Sequence, residues 1–140
     1  MERMLVEVLC DLRAPLVAMS VPAGFPSPAE DYLDKPLDFN ELIIANPAAT
    51  FAVRVDGDSM IGAGIHPGDI AVVDRSLSAK DGRVVLALVD GAFALKRFRK
   101  RNGRVWLASE NPQYPDLVIS EDMTFEVWGC VRRCVRMLEP

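Results

Sequence analysis

Short runs of β-forming residues recur through the second two-thirds of the chain, and turn residues separate them. Seven such runs lie at residues 51–55, 70–73, 84–89, 92–98, 105–108, 117–119 and 125–131. Two of the intervening turns are Asp90-Gly91 and Asn102-Gly103, dipeptides that join antiparallel strands in tight hairpins. Ten prolines and nine glycines are typical of a chain with many turns. The sequence therefore predicts a mostly β protein, built as one compact antiparallel β domain.

The first 40 residues have a different character and lack strong periodicity. Three prolines and one glycine fall within residues 21–28 and exclude a regular helix there. We expect residues 1–23 to form a flexible N-terminal arm, residues 24–40 an extended linker and residues 41–140 the β domain. One short helix is predicted near residue 40, because Asp38 is a candidate N-cap with an acidic residue three positions later.

Composition excludes several classes of protein. With 50% apolar and 26% charged residues, the chain has the make-up of a globular protein. The net charge of −4 disfavours a surface that coats nucleic acid, so no direct sequence-specific DNA binding is expected. Charged residues interrupt every apolar stretch well short of the ~20 residues that span a membrane. We expect a cytoplasmic protein that makes no contact with a membrane.

Three cysteines, Cys10, Cys130 and Cys134, follow no disulfide framework. An odd number of cysteines without such spacing is typical of a reducing compartment. Cys130 and Cys134 lack further ligands nearby in the sequence, so we interpret them as core or interface thiols rather than as a zinc site. The sequence predicts no metal and no cofactor.

The run at residues 51–55 leads into a glycine-containing turn that ends at Ser59. A serine at the end of a strand is exposed on a rigid base, as a nucleophile must be. A serine is inert without a base within hydrogen-bond reach and donors for the developing oxyanion. The sequence must supply both if Ser59 is catalytic.

Two residues are candidates for the base. His66 is the chain's one histidine, but its Pro-Gly-Asp neighbours favour a solvated turn. Lys96 shares one face of its predicted strand with Ala92, Ala94 and Phe98. Partial burial there would lower the pKa of the lysine toward the range a base needs. The basic run at residues 96–101 equally fits a solvated hairpin end, so the pattern alone leaves the role of Lys96 open.

Several motifs in register resemble the LexA/UmuD family of self-cleaving serine peptidases, and its UmuD-like members most. They are Gly57-Asp58-Ser59-Met60, Gly68-Asp69 before an apolar strand, Lys96 in the strand after Asp90-Gly91, and the segments at residues 23–32, 38–42 and 46–50. The resemblance covers roughly residues 20 to 138. It implies that Ser59 is the nucleophile and Lys96 the general base, with oxyanion donors from the backbone at Ser59 and Met60.

The resemblance also implies a substrate and partners. The cleaved bond would be Ala23-Gly24 in the chain's own arm, cut when a filament of RecA on single-stranded DNA stimulates the reaction. The shortened homodimer would then serve a UmuC-like, Y-family DNA polymerase in error-prone translesion synthesis during the SOS response. The Ala-Gly bond suits this chemistry, because two small residues let an extended backbone approach a recessed serine.

Two other functions fit parts of the pattern. One is a non-cleaving interaction module of the same fold that regulates a polymerase, with Ser59 and Lys96 as remnants. The intact serine, lysine and Ala23-Gly24 bond argue against it. The other is a signal-peptidase-like enzyme, which also uses serine and lysine, but the lack of a membrane segment argues against that function.

Overall fold

The computed structural model describes residues 13–14, 21, 23–24 and 36–139. The chain divides into two units, Met1–Pro47 and Ala48–Pro140. Most of the predicted arm and linker lies outside the described residues. No helix within the described part of the chain is long and apolar enough to cross a membrane.

The described part of the first unit contains two very short strands and a helix. Strand β1 (Arg13–Ala14) pairs antiparallel with strand β2 (Leu37–Asp38). Helix α1 (Phe39–Ile43) begins directly after Asp38, whose carboxylate accepts a hydrogen bond from the backbone N–H of Asn40 at 2.9 Å. The predicted N-cap and short helix are confirmed. The β1–β2 pair was not predicted, because two residues are too few to show a period.

The second unit holds one seven-stranded sheet whose paired strands all run antiparallel. Its strands are β3 (Thr50–Arg54), β4 (Ile70–Asp74), β5 (Val84–Val89), β6 (Ala92–Arg101), β7 (Arg104–Ala108), β8 (Leu117–Val118) and β9 (Phe125–Val135). Their order across the sheet is β3-β4-β9-β5-β6-β7-β8. The mostly β, antiparallel fold with one short helix is confirmed, and all seven predicted strands are present.

Strand β9 differs most from its prediction, because it continues four residues beyond residue 131 to Val135. It lies between β4 and β5, and its second half pairs with β4 from Cys130 to Val135. Arg132 and Arg133 break the apolar pattern there, which hid this part of the strand. Pairing with β4 provides hydrogen-bond partners for the backbone N–H and C=O groups of this part of β9, and this pairing does not depend on apolar side chains.

The two predicted hairpins are confirmed by backbone geometry and register. Both residues of each turn have positive φ, with values of 47° and 82° at Asp90-Gly91 and 51° and 75° at Asn102-Gly103. Such turns match the twist of the strands they join. The first turn sets Lys96 of β6 opposite Val85 of β5.

The core lies on both faces of β5, which explains its unbroken apolar sequence. Val84 and Leu86 belong to one buried cluster, whereas Val85, Ala87 and Val89 belong to another. Further members of the first cluster are Met60, Ile65, Ala71, Val73 and Val131, and further members of the second are Phe98, Leu107 and Cys130. The first cluster supports the turn that carries Ser59.

Candidate active site

A cleft of about 210 Å³ brings Ser59 together with Lys96. Its lining residues are Val55, Asp56, Gly57, Ser59, Met60, Phe93, Ala94, Leu95 and Lys96. One wall is the turn after β3, and the other is the first half of β6. The two residues predicted as nucleophile and base therefore face the same space.

Backbone hydrogen bonds and a buried side chain hold the Ser59 turn, which comprises residues 56–60. On its N-terminal side, the N–H of Val55 donates to the carbonyl of Asp69 at 2.8 Å, and the N–H of Gly68 donates to the carbonyl of Val55 at 2.9 Å. On its C-terminal side, the Met60 side chain is 2% exposed and packs in the first core cluster. Ser59 itself is half-buried on this fixed base.

Among the described residues, no backbone hydrogen bond uses the N–H group of Ser59 or that of Met60. A short 3₁₀ turn follows at Ile61–Ala63, and its hydrogen bonds use the N–H groups of Ile61, Ala63 and Gly64. Within the described part of the chain, the N–H groups of Ser59 and Met60 are therefore available as donors. An oxyanion site requires such donors on a rigid backbone.

Lys96 is half-buried rather than solvated. Val85, opposite it on β5, is fully buried, and the Tyr114 ring lies 5.5 Å from Lys96 Nζ. Burial lowers the pKa of Lys96 from its ordinary value, because desolvation disfavours the ammonium form. Of the two alternatives that the sequence left open, the structure supports the partly desolvated lysine.

Lys96 Nζ donates a hydrogen bond of 2.8 Å to the Oγ of Ser109, a residue that the sequence reasoning missed. The register of a predicted hairpin could have identified Ser109. The Asn102-Gly103 hairpin pairs Arg97 with Ala108, so the next step of the same register sets Lys96 opposite Ser109. Ser109 directly follows the last residue of β7.

The segment at residues 109–114 also holds the Ser59 turn through the backbone of Glu110. The N–H of Glu110 donates to the carbonyl of Ser59 at 2.9 Å, and the Glu110 carbonyl accepts from the N–H of Gly62 at 2.7 Å. A Cβ at Gly62 would lie 2.6 Å from that carbonyl oxygen, so only glycine permits this approach. The Glu110 carboxylate in turn pairs with Arg97 of β6.

Two side chains of the 109–114 segment reach Asp58. Asn111 Nδ2 donates to the Asp58 carbonyl at 3.0 Å, and the Tyr114 hydroxyl donates to the Asp58 carboxylate. This hydrogen bond and the charge of Asp58 raise the pKa of the Tyr114 hydroxyl. One segment thus contacts both the serine turn and the lysine.

His66 is not among the residues that line the cleft. It lies in the loop before β4, where its Nδ1 contacts the Arg136 guanidinium and its backbone N–H donates to Asp69 at 2.9 Å. Arg136 also binds both oxygens of the buried Asp69 carboxylate, at 2.8 and 2.7 Å. His66 therefore belongs to a hydrogen-bonded cluster with Asp69 and Arg136, and its position outside the cleft does not support a role as the base.

The remaining predicted residues lie elsewhere. Ala23 and Gly24 are exposed residues of the first unit. Cys130 and Cys134 are free thiols: the first is buried in the core and the second is exposed on β9, while Cys10 lies outside the described residues. Within the described residues, no three side chains of His, Cys, Asp or Glu come together as a metal site.

Most of the chain is similar to a known protein family. Residues 15–132 match the family described as Peptidase S24-like. The chain belongs to this serine peptidase family. The match covers most of the chain, including the whole of the cleft.

Individual proteins are also similar to this chain over most of its length. Protein SamA of Salmonella typhimurium is 46% identical over 114 residues, which are 81% of this chain and 81% of that protein. Protein MucA of Escherichia coli is 40% identical over 118 residues, 84% of this chain and 80% of the relative. A LexA repressor from a Parafrankia species is 41% identical over 110 residues, 79% of this chain but 43% of the repressor. The expected membership of the LexA/UmuD family is confirmed.

Proposed function

We propose that this chain is an autopeptidase that cleaves its own Ala23-Gly24 bond with Ser59 as nucleophile and Lys96 as general base. The observation that carries the proposal is the cleft itself. In a member of a serine peptidase family, a half-buried lysine with a lowered pKa shares a cleft with a serine on a rigid turn. A neutral lysine can serve as base without a carboxylate to orient it.

The chemistry proceeds through an ester. The Lys96 amine takes the hydroxyl proton as Ser59 Oγ attacks the Ala23 carbonyl carbon, and the N–H groups of Ser59 and Met60 bind the oxyanion. The Lys96 ammonium then gives this proton to the Gly24 nitrogen as the peptide bond breaks. Water, deprotonated by the Lys96 amine, hydrolyses the Ala23 ester and restores Ser59. The products are residues 1–23 and residues 24–140.

The bond and the cleft are compatible in chemical terms. Ala23 and Gly24 are exposed and have minimal side chains, so a segment that contains them can approach a recessed hydroxyl. The prolines on either side keep this segment from forming helix. The part of β6 that lines the cleft is apolar at Phe93, Ala94 and Leu95, which favours an extended apolar segment as substrate.

We extend the proposal to a role in the SOS response, on the basis of membership of the LexA/UmuD family. A RecA filament on single-stranded DNA would accelerate the cut by raising the population of the cleavage-competent state, since a rarely occupied state lowers the observed rate by its fraction. The product, residues 24–140, would act in the cytoplasm as a homodimer that assists a UmuC-like, Y-family translesion polymerase. In domain terms, residues 1–23 are the removed arm, 24–40 the linker and 41–140 the peptidase domain.

Incubation of the purified chain near pH 10 tests the peptidase directly, because a lysine with an ordinary pKa of about 10.4 is then partly neutral. We expect a fragment that begins at Gly24 to accumulate, as measured by mass spectrometry and N-terminal sequencing. Ser59→Ala and Lys96→Ala should both abolish it. A chain that stays intact, or a Ser59→Ala variant that cleaves normally, would favour the non-cleaving interaction module.

Matched controls separate the dyad from general effects of substitution. Lys100→Ala removes an exposed lysine four residues along the same strand, and Ser120→Ala removes a hydroxyl that contacts Asp122 outside the cleft. Both controls should cleave at the wild-type rate.

Partners require separate measurements. RecA, single-stranded DNA and a nucleotide cofactor of RecA should accelerate cleavage at neutral pH, and omission of the DNA should remove the acceleration. Sedimentation of the fragment at micromolar concentration should show a dimer. A monomer under those conditions would contradict the proposed accessory role.

A further inference from the structure

The Lys96–Ser109 hydrogen bond has a geometry that bears on how a lysine can act as a base. A neutral amine has two N–H donors and one lone pair, and the lone pair alone can accept the proton of Ser59. The amine rotates freely about its last C–N bond unless a partner fixes it. Ser109 Oγ, 2.8 Å from Lys96 Nζ, is such a partner.

The position of Ser109 is fixed from both sides. Two residues before it, the Leu107 side chain is 1% exposed and packs in the second core cluster. The next residue, Glu110, is tied to the Ser59 turn by both of its backbone groups. Ser109 is therefore held in place relative to the lysine and, through Glu110, relative to the serine. Proton transfer depends on such mutual placement.

Other groups near Lys96 are poorly suited to orient it. Tyr114 presents its ring face at 5.5 Å, and its hydroxyl is engaged with Asp58. Asp56 lines the cleft, but no hydrogen bond joins it to Lys96 among the described residues. Glu110 directs its carboxylate to Arg97. The neutral hydroxyl of Ser109 is thus the group that contacts the amine without adding charge.

We propose that Ser109 is a positioning residue of the reaction: its Oγ accepts one N–H of the Lys96 amine and thereby turns the amine lone pair toward Ser59. The inference rests on the proposed function, in which Lys96 is the base. It adds a third side chain to the serine and the lysine. Ser109 does not touch the substrate and acts through Lys96 alone.

Rates of self-cleavage at high pH test this role, since the Lys96 amine is then fully neutral and only its orientation limits the reaction. We expect Ser109→Ala to lower the plateau rate about 10- to 100-fold, because misplacement of a catalytic group by about 1 Å can cost about 100-fold. Ser109→Thr keeps the hydroxyl and should restore most of the rate. Ser120→Ala, the matched control outside the cleft, should leave the plateau unchanged.

A second readout separates positioning from a merely structural role. The pKa of Lys96 can be followed by NMR in protein with ¹³C-labelled lysine and the Ser59→Ala substitution, with Lys35, Lys80 and Lys100 as internal references. Loss of an acceptor that favours the ammonium lowers the pKa of Lys96 further in Ser109→Ala. A loosened segment would instead admit water and raise this pKa toward its ordinary value.

Each outcome decides the inference. An equal plateau in Ser109→Ala, or a pKa of Lys96 that rises in that variant, overturns it. A faster Ser109→Ala variant also overturns it, because it would show that the Ser109 hydroxyl donates to the amine lone pair and competes with Ser59. Wild-type protein that yields no Gly24 fragment removes the proposed function and this inference together. Normal wild-type cleavage with a normal Ser109→Ala plateau removes this inference alone.

Discussion

The backbone N–H of Glu110 donates a hydrogen bond to the carbonyl oxygen of Ser59 over 2.9 Å. The segment that carries Ser109 beside the lysine is therefore the same segment that supports the serine turn. A displacement of this segment would alter a hydrogen bond of each member of the proposed dyad.

Substitution of Gly62 by alanine should displace the 109–114 segment, because the new Cβ would lie 2.6 Å from the Glu110 carbonyl oxygen. Overpacking of this kind costs about 1–3 kcal/mol of unfolding free energy. We also expect slower self-cleavage at pH 10 under conditions where the variant stays folded. Urea unfolding and the cleavage rate measure the two effects.

Gly129→Ala is the matched control for this substitution. Its Cβ would lie 2.7 Å from the Asp74 carbonyl oxygen, between β9 and β4 and apart from the residues that line the cleft. It should lose stability comparably while its folded fraction cleaves at the wild-type rate. Wild-type stability and rate in Gly62→Ala would show that the close approach has no influence on the site.

The Tyr114 hydroxyl should ionise at higher pH than an ordinary tyrosine. It donates to the Asp58 carboxylate, and a phenolate there would face that negative charge, so its pKa is raised. An absorbance titration of the Ser59→Ala protein can follow this, with Tyr114→Phe to identify the contribution of the chain's other tyrosine. Asp58→Asn should return the transition to lower pH. An unchanged transition in Asp58→Asn would contradict the contact.

Self-cleavage should rise with pH along a curve whose midpoint lies below the ordinary lysine pKa of about 10.4. The neutral amine is the active form, and burial lowers the pKa of Lys96, so the amine becomes neutral at lower pH than an exposed lysine does. Initial rates of Gly24-fragment formation across the alkaline range measure the midpoint. A midpoint at or above the ordinary value would show that Lys96 is solvated or is not the base.

Acid should weaken the fold through Asp69. The hydrogen bonds from Arg136 and from the His66 backbone hold the pKa of this buried carboxylate at about 2. Its folded pKa lies below its unfolded value near 4, so its stabilisation is complete above about pH 4 and is lost as the pH falls toward about 2. Thermal unfolding midpoints of Ser59→Ala protein, measured over that range, should decline accordingly.

Arg136→Gln should remove much of this stabilisation, since it leaves a buried carboxylate without its cation. Arg132→Gln replaces an exposed arginine on β9 and is the matched control. Equal unfolding midpoints of the two variants at pH 7 would contradict a structural role for the Asp69–Arg136 pair.

Much of the sheet could be predicted from sequence, because local turns carry the information. Asp90-Gly91 and Asn102-Gly103 specify tight hairpins, and each hairpin fixes which residues of its two strands face one another. That register places Lys96 between Val85 and Ser109. The contact of Lys96 with Ser109 was therefore predictable, although the register of the second hairpin was not extended that far. The burial of Lys96 was left open, because the strand period that places it with Ala92, Ala94 and Phe98 also fits a solvated hairpin end.

The membership of the family was also carried by sequence, in the Gly57-Asp58-Ser59-Met60 motif and the lysine strand. The motif alone does not say what activates Ser59. The strand periods of β3 and β6 show which residues share a face within each strand. They do not predict that Ser59 lies near Lys96, because β3 and β6 are distant in the sheet order. The resemblance paired the two residues before the structure placed them in one cleft.

Only the tertiary structure decided the contacts between distant parts of the chain. No local sequence pattern predicts three of these contacts. They are the insertion of β9 between β4 and β5, the hydrogen bonds of Glu110 to the Ser59 turn and the pairing of Asp69 with Arg136. A tight turn determines the register of the two strands that it joins, because few backbone conformations can form such a turn. Long-range pairs form instead where they bury apolar surface and satisfy polar groups jointly, and that condition belongs to the whole fold.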